Sequence, residues 1–385
     1  MKRKILYVSP NSLMGGGEIN QMLLIANLDP ATYDVEVVVG GQGPYADELR
    51  KKGVRVSVLP MPCLRLRSRR LPSPVSLILL YRHLLDVKPH LVHSSSLPED
   101  HHSALAARLA RVPVVHDVQT IVHRAHGLDR WRAAHSAAVI CISRAIRQSV
   151  ARARLAAPMT EVIYSGVDVE AAHNADGLKV RRELNLSACD VIGIASRLSP
   201  EKGQEYFLQA AASLKDRFPN ARFLVAGGPL YAPAHYDDHL KHLACKLGLG
   251  SQAIFTGFRG DILNVMAAMD VLVCAADQEA LGRVVLEAMA LGKPVIATRA
   301  GGPMEIVEHG VTGFLVPPRD AAALAGAIST CLSDLDAARR MGHTGRERAQ
   351  TLYTIRNNVR QVHRLYDEIL TPAARRRPDE HPHGS

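Results

Sequence analysis

The 385-residue sequence lacks long apolar runs, paired cysteines and a high aromatic content. No uninterrupted apolar stretch reaches about 18 residues, so we expect no transmembrane helix. The six cysteines lie singly, which disfavours a disulfide framework, a zinc ribbon and a thioredoxin-type site and favours a reducing, cytoplasmic compartment. Aromatic residues make up only 4% of the chain, and no RNA-binding or helix-turn-helix signature is present. Nucleic acid is therefore a disfavoured partner.

The composition is that of an ordinary globular protein, with 47% hydrophobic and 22% charged residues. Short β-branched runs alternate with amphipathic helical stretches, and the pattern restarts after a seam near Gly166–Leu184. This alternation predicts an α/β protein with two Rossmann-like domains facing across a cleft. We expect the domains at 1–170 and 171–353, a helix near 354–370 that crosses back to the first domain, and a disordered tail at 371–385.

The net charge of +10 is concentrated in the first half, where residues 1–170 carry +8 and residues 171–385 carry +2. Its densest piece lies between residues 64 and 71 and contains Arg65, Arg67, Arg69 and Arg70. This segment is interpreted as a binding surface for an anionic lipid or acceptor, with a solvated basic loop as the alternative. An anionic membrane surface is thus an expected partner, and peripheral attachment to the membrane remains open.

A glycine-rich segment, Met14–Glu18, follows the first predicted strand and opens a helix. Backbone amides at such a junction bind anions, so Gly16 and Gly17 are candidate ligand contacts. The third glycine is adjacent to the second, which differs from the dinucleotide-binding fingerprint. A tight turn without a ligand is the alternative.

The second half carries two further charged motifs at predicted strand-to-helix junctions. Arg197 and Lys202, in the sequence SRLSPEKG, suit a diphosphate, although a solvated basic loop fits the spacing equally well. Glu279 and Glu287 stand eight residues apart around Gly282. A carboxylate near a helix start can hold ligand hydroxyls, and an ordinary helix-starting glutamate is the alternative.

Together these motifs resemble the retaining glycosyltransferases of family GT4, which have the two-domain GT-B fold. The resemblance includes the segments GKPVIA after Leu291 and GGPMEIV after Ala300, and it extends from Ile5 to about Leu370. It implies transfer of a sugar from a nucleotide diphosphate sugar to a glycan, lipid-linked or small-molecule acceptor. It also implies that no bound metal or other cofactor is needed.

The resemblance also assigns expected roles to individual residues. Arg197 and Lys202 would hold the departing diphosphate and stabilise its charge. Glu287 would bind the donor ribose, and Glu279 would bind the donor sugar. The other implied donor contacts are Gly16, Gly17, Gly257, Phe258, Arg259, Leu281, Gly282 and Arg283. Cations held at the departing phosphate would act where negative charge develops in the transition state.

The family's active-site histidine has no exact counterpart here. The spacing from Pro113 that leads to this histidine ends at Gln119, and His116 lies three residues earlier. A strand-end His116 beside Asp117 is one candidate for the role, and Gln119 as a substitute sugar contact is the other. His93 and His123 are weaker candidates. Two rival functions remain open, namely a catalytically silent sugar-nucleotide-binding subunit and a nucleotide-sugar epimerase.

Overall fold

A computed structural model describes residues 2–66, 69–95, 97, 100–229, 233 and 235–371. The chain divides into two compact units. Unit 1 comprises residues 1–142, 147–163 and 356–385, and unit 2 comprises residues 143–146 and 164–355. The predicted tail at 371–385, apart from residue 371, and Arg67 lie outside the described residues, as do the side chains of Arg65, Arg69 and Arg70. In the described part of the chain, no helix has the length and hydropathy that spanning a bilayer requires.

Unit 1 is built on a parallel sheet with the strand order β3-β2-β1-β6-β7-β8-β9. These strands are β1 (Arg3–Ser9), β2 (Tyr33–Val39), β3 (Arg55–Val58), β6 (Leu91–Ser94), β7 (Val114–Val118), β8 (Ala138–Cys141) and β9 (Met159–Val162). Two more strands, β4 (Cys63–Leu66) and β5 (Arg69–Pro72), pair antiparallel, so the described backbone of the arginine-rich segment lies in strands where a loop was one prediction.

The helices before residue 163 are α1 (Gly16–Asn27), α2 (Pro44–Lys51), α3 (Pro74–Val87), α4 (Ser103–Leu109), α5 (Gly127–Ala134) and α6 (Arg144–Arg152). The last helix among the described residues, α16 (Ile355–Leu370), packs on the sheet of unit 1. Its residues Val362, Leu365 and Tyr366 are buried in the same cluster as Ile5 and Tyr7 of β1.

Alternation along the strands divides the side chains of unit 1 between two faces. On one face, Ile5 and Tyr7 pack with residues of α1 and α16. On the other face, Leu6 and Val8 pack with residues of α3 and α4. Any two residues one apart on these strands therefore point into different cores, which decides which polar side chains meet.

Unit 2 has a parallel sheet with the strand order β12-β11-β10-β13-β14-β15. The strands are β10 (Asp190–Ala195), β11 (Ala221–Ala226), β12 (Ala253–Gly257), β13 (Val271–Cys274), β14 (Val295–Thr298) and β15 (Gly313–Val316). The helices are α7 (Val169–His173), α8 (Gly177–Glu183), α9 (Gln204–Leu214), α10 (Tyr236–Lys246), α11 (Ile262–Ala268), α12 (Arg283–Ala290), α13 (Pro303–Ile306), α14 (Ala321–Ser333) and α15 (Leu335–Leu352). The central strands β10 and β13 are apolar and almost entirely buried, as a sheet covered on both faces requires.

Together the two parallel sheets confirm the predicted α/β architecture with two Rossmann-like domains. In such sheets, ligands bind beyond the carboxyl ends of the strands. The polar residues to compare are therefore those that follow β1 and β7 in unit 1, and those that follow β10 and β13 in unit 2.

Candidate active site

In unit 2, β10 and β13 are neighbours in the sheet, so the loops that follow them meet. Gly203 ends the first loop with φ +73°, and a Cβ at this position would lie 2.1 Å from the carbonyl oxygen of Ala275. The amide of Asp277 donates to the carbonyl oxygen of Glu201 over 2.9 Å. This close backbone approach requires glycine and brings the two motif-bearing loops into contact.

Lys202 and Glu279 form the central ion pair of these loops. The Lys202 Nζ atom donates to Glu279 Oε2 over 2.6 Å, and both side chains are less than one fifth exposed. Burial would lower the pKa of Lys202, but the carboxylate of Glu279 outweighs this effect and raises the pKa above its ordinary value. Lys202 is therefore a fixed cation, held by a carboxylate that also reaches the site.

A second ion pair lies on the first turns of α12. Arg283 Nη2 stands 2.6 Å from Glu287 Oε1, and the Glu287 side chain is 8% exposed. Gly282, just before the helix, has φ +92°, a conformation that favours glycine. The amides at this helix start point away from the helix and can receive an anion. Leu281, beside them, is buried.

Glu279 is positioned by close backbone packing against the glycine pair Gly301–Gly302. The amide of Gly302 donates to the carbonyl oxygen of Glu279 over 2.9 Å. A Cβ on Gly301 would lie 2.0 Å from that oxygen, and one on Gly302 would lie 2.3 Å from the Leu281 Cα atom. The motif GGPMEIV is thus a packing requirement of the loop that carries Glu279.

The other expected donor contacts of unit 2 lie nearer the surface. Arg197 donates to Glu201 over 2.6 Å in an exposed pair. Phe258 is 80% exposed, and Gly257 has φ +67° at the end of β12. Arg259 donates to Glu183 and Asp261, and these carboxylates raise the pKa of its guanidinium. Arg259 is thus paired with two carboxylates, and the Phe258 side chain is exposed.

In unit 1, the glycine-rich segment forms the start of α1, with Gly15 as the residue before the helix. Gly16 and Gly17 are its first two residues, whose amides have no acceptor within the helix. The Glu18 carboxylate folds back to accept from the amide of Gly15 over 3.0 Å and from Asn11 Nδ2 over 2.8 Å. The loop is therefore braced by a carboxylate, and its open amides are those of the two candidate glycines.

The Gln119 side chain lies beside this glycine-rich loop, whereas the His116 side chain does not. The Gln119 Oε1 atom lies 3.0 Å from the position that a Cβ on Gly17 would occupy. His116 points to the opposite face of the sheet, where it is fully buried near Asp100. Burial lowers the pKa of His116 to about 4, so its imidazole is neutral near pH 7.

The expectation that His116 ends its strand is wrong, because β7 continues to Val118. The apolar run in the sequence stops at Val115, but the strand includes His116 and Asp117, both of which are buried. Each is buried near an ionisable side chain from elsewhere, His116 near Asp100 and Asp117 beside His93, although no described residue forms a hydrogen bond with either nitrogen of the His116 ring. The contact between His93 and Asp117 was not anticipated, although the alternation of side chains along β6 and β7 would have indicated it.

Within the described part of the chain, no cluster of three His, Cys, Asp or Glu side chains is arranged to hold a metal ion. The strand ends of each unit present hydrogen-bond donors or paired charges instead. Unit 2 offers cations, carboxylates and a helix start, and unit 1 offers a glycine-rich helix start with an amide side chain beside it. Groups of these kinds are used by proteins that bind phosphorylated, hydroxyl-rich ligands.

Two Rossmann-like units with such groups at their strand ends define the architecture of the GT-B class. The family described as Glycosyltransferase Family 4 matches residues 14–171, and the family described as Glycosyl transferases group 1 matches residues 180–348. The two matches cover most of the chain and follow one another in order. The chain belongs to the group 1 glycosyltransferases, as its motifs predicted.

Individual relatives agree with this assignment. The putative glycosyltransferase YtcC of Bacillus subtilis is 30% identical over 62% of this chain and 62% of its own length. A D-inositol 3-phosphate glycosyltransferase of Corynebacterium urealyticum is 34% identical over 58% of this chain and 54% of its own. The match therefore spans somewhat more than half the length of these curated relatives.

A solved structure extends the similarity to nearly the whole chain. The crystal structure of Anabaena Alr3699/HepE in complex with UDP-glucose is 27% identical, with a TM-score of 0.84. The match covers 95% of this chain and 99% of that one. Both units of the present chain therefore have counterparts in a protein of known GT-B architecture.

Proposed function

We propose that the protein transfers a sugar from a nucleotide diphosphate sugar to a hydroxyl-bearing acceptor, with retention of the anomeric configuration and without a metal. The observation that carries this proposal is the buried Lys202–Glu279 pair beside the helix start at Gly282. A lysine held charged there would bind the diphosphate and stabilise the negative charge that develops as it leaves. The complex of HepE with UDP-glucose supports a uridine diphosphate sugar as the first donor to test.

Unit 2 is the proposed donor-binding unit. Glu287 would accept hydrogen bonds from the ribose, and Glu279 from the sugar, because ionised carboxylates form strong hydrogen bonds with hydroxyl groups. Arg197, which is paired only at the surface, would turn from Glu201 to the diphosphate when the donor binds. Phe258, with its ring exposed, would pack beside the base, while Gly257 allows the turn there.

The donor test is a panel of UDP-, GDP- and ADP-sugars, starting with UDP-glucose. Thermal shift would identify the donor that binds, because a ligand of the folded state raises the melting temperature. Release of nucleoside diphosphate would report turnover, and the anomeric proton signals of the product would report retention. Activity that persists in EDTA would support metal independence, and loss of activity in EDTA would contradict it.

The same panel separates this proposal from its two rivals. Donor binding without transfer or hydrolysis for any acceptor would support a silent binding subunit. Release of an epimerised sugar nucleotide without an acceptor would support an epimerase. Either result would replace the transferase proposal.

We further propose that unit 1 attaches peripherally to an anionic membrane surface, which would supply a lipid-linked acceptor. Helix α3 buries Leu80 and Leu84 but exposes an apolar stripe at helical spacing on its outer side: Val75 is 65%, Ile78 57%, Leu79 37% and Leu85 46% exposed. The arginine-rich segment at 64–71 directly precedes this helix in the chain. An apolar stripe next to basic residues fits the interface of an anionic bilayer.

Sedimentation with liposomes tests the attachment. The double variant Ile78→Ser/Leu79→Ser should weaken binding to anionic vesicles, and replacing Arg65, Arg67, Arg69 and Arg70 with Ser should weaken it further. Leu352→Ser is the matched control, since this leucine is 47% exposed on α15 of unit 2. Binding that is unchanged in both α3 and arginine variants would contradict the attachment.

A further inference from the structure

A row of polar side chains crosses one face of the sheet of unit 1. Tyr7 of β1 is in register with His93 of β6, and their rings stack at 4.7 Å. Asp117 of β7 lies on the same face, next to His93. Tyr366 of α16 covers this row and is fully buried, as are Tyr7 and His93. Four polar side chains from three strands and the last helix thus form one buried group.

The contacts within this group are continuous. The Tyr7 and Tyr366 hydroxyl oxygens are 2.8 Å apart, and the Tyr366 hydroxyl is 2.5 Å from His93 Nδ1. On its other side, His93 Nε2 lies 3.0 Å from Asp117 Oδ1, a close polar contact that lacks the angles of a hydrogen bond. The second carboxylate oxygen of Asp117, Oδ2, accepts from Gln119 Nε2 over 3.4 Å. The row of polar contacts therefore extends from Tyr7 through Tyr366, His93 and Asp117 to Gln119.

The rules for hydrogen-bond donors and acceptors indicate which atom donates at each of these contacts. An ionised carboxylate only accepts, so the nitrogen of His93 that faces Asp117 carries the proton. In a neutral imidazole the other nitrogen, Nδ1, is then an acceptor, and the Tyr366 hydroxyl must donate to it. The oxygen of Tyr366 is left to accept from Tyr7. Each donor thus points towards Asp117.

The same rules orient the Gln119 amide. Its nitrogen faces two acceptors, Asp117 Oδ2 and the carbonyl oxygen of Ser95, each at 3.4 Å. Only the NH₂ group can face both, which settles the choice between the two amide orientations. The Gln119 oxygen is therefore the atom next to Gly17, and it is buried without a partner among the described residues. An acceptor oxygen is left available at the glycine-rich loop.

We propose that Tyr366, His93 and Asp117 are positioning residues that hold the Gln119 side chain with its carbonyl oxygen towards the glycine-rich loop, where it accepts a hydrogen bond from a donor group of the substrate. The proposal rests on the proposed function in one respect, namely that the loop is part of the substrate site. The orientation of Gln119 itself does not depend on that function. Helix α16 would thus help to hold the side chain of Gln119, which follows β7.

The test compares two hydroxyl deletions, Tyr366→Phe and Tyr7→Phe. Both remove one buried hydroxyl, and both break the hydrogen bond between Tyr7 and Tyr366. Only Tyr366→Phe breaks the contact with His93. We expect the side-chain amide signals of Gln119, observed by NMR with ¹⁵N-glutamine labelling and assigned from Gln119→Leu, to shift in Tyr366→Phe and to stay in place in Tyr7→Phe.

Two NMR outcomes would overturn the proposal. Equal displacement of the Gln119 signals in both variants would show that the hydroxyls act only by filling the core. Unmoved signals in Tyr366→Phe would show that α16 has no hold on Gln119. Asp117→Asn is the second variant if Tyr366→Phe does not fold, since it keeps the side-chain shape but replaces one acceptor oxygen with a donor. It too should shift the Gln119 signals, and unmoved signals would overturn the proposal.

A double-mutant cycle provides the kinetic readout once a donor is known. Tyr366→Phe should lower kcat/KM about tenfold in the native background and cause no further loss in the Gln119→Leu background, because the two changes act through one contact. Full additivity of the two losses would overturn the proposal. If the wild-type protein shows no turnover with any donor, the proposed function fails while the NMR comparison still decides the positioning role.

Discussion

The two units present their polar residues in opposite ways. In unit 2 the functional candidates are charged and paired with each other, Lys202 with Glu279 and Arg283 with Glu287. In unit 1 the residue brought to the glycine-rich loop is the neutral Gln119, and the charges lie behind it in Asp117. Unit 2 thus presents paired charges at its strand ends, and unit 1 presents a neutral amide.

This difference indicates how each site stays fixed without its ligand. A buried cation is costly alone, so Lys202 is held by a carboxylate that a ligand must share. A neutral amide has no such requirement, and its orientation depends on what lies behind it. The ion pairs of unit 2 and the polar contacts of unit 1 are thus two ways of holding a side chain in place.

The sharpest test of the charged site is Lys202→Met. It removes the cation proposed to act on the departing diphosphate, so we expect kcat/KM to fall on the order of 10²–10³-fold. The control is Lys241→Met, which breaks an exposed pair with Asp237 at 2.8 Å. Turnover should be measured well below the melting temperature, because the change leaves Glu279 without its partner. A near-native rate would refute the role of Lys202.

Acid should destabilise unit 1 through His116. An unfolded histidine has a pKa near 6.5, whereas burial lowers the pKa of His116 to about 4 in the folded chain. Between these values the unfolded chain binds a proton that the folded chain does not, so stability falls as the pH drops below about 6.5 and the loss levels off below about 4. The full loss is on the order of 3 kcal/mol.

Hydrogen exchange at pH 7.5 and pH 4.5 would locate this effect. Protection of β6 and β7 should decrease more than that of β10 and β13, and His116→Asn should reduce the difference. His343→Gln, which removes an exposed histidine of unit 2, is the control. A uniform loss of protection across both sheets would contradict the assignment to His116.

The sequence predicts unit 2 better than unit 1, and the reason is physical. The unit 2 motifs are local: Gly203, Gly282 and Gly301 adopt positive φ, and their spacing from the charged residues is set within one loop. The alternation of strands and helices likewise predicts both sheets. The strand order of each sheet and the pairing of Arg259 with Glu183 depend on contacts between distant segments, and no local pattern reveals them.

The row of polar contacts in unit 1 likewise could not be predicted from local sequence. Tyr7 and Tyr366 are separated by 359 residues, and nothing near either one indicates the other. The polar pair His116–Asp117 ended the apolar pattern and so suggested a strand end. Burial of both residues by long-range partners overrides the pattern, which is why β7 proved longer than predicted.

A smaller effect is expected from Glu287→Gln. The substitution keeps the shape of the side chain but replaces a charge-assisted acceptor with a neutral amide, so donor affinity should fall about tenfold. Titration calorimetry with the donor identified above measures it, and UDP alone shows whether the loss concerns the nucleoside. Glu347→Gln is the control, since Glu347 is exposed on α15. Unchanged affinity would remove Glu287 from the ribose site and weaken the contrast between the units.

The smallest expected effect separates site glycines from ordinary ones within unit 2. Gly326 is exposed in the middle of α14, and an added Cβ would meet nothing within 4 Å. Gly326→Ala should therefore raise the free energy of unfolding by about 0.5–1 kcal/mol, because glycine loses more backbone entropy in a helix than alanine.

Gly301→Ala should have the opposite sign, since its Cβ would lie 2.0 Å from the Glu279 carbonyl oxygen at φ +74°. Urea unfolding of the two variants measures both changes. A stabilising Gly301→Ala would mean that the loop can shift without cost, and Glu279 would then owe its position to Lys202 alone.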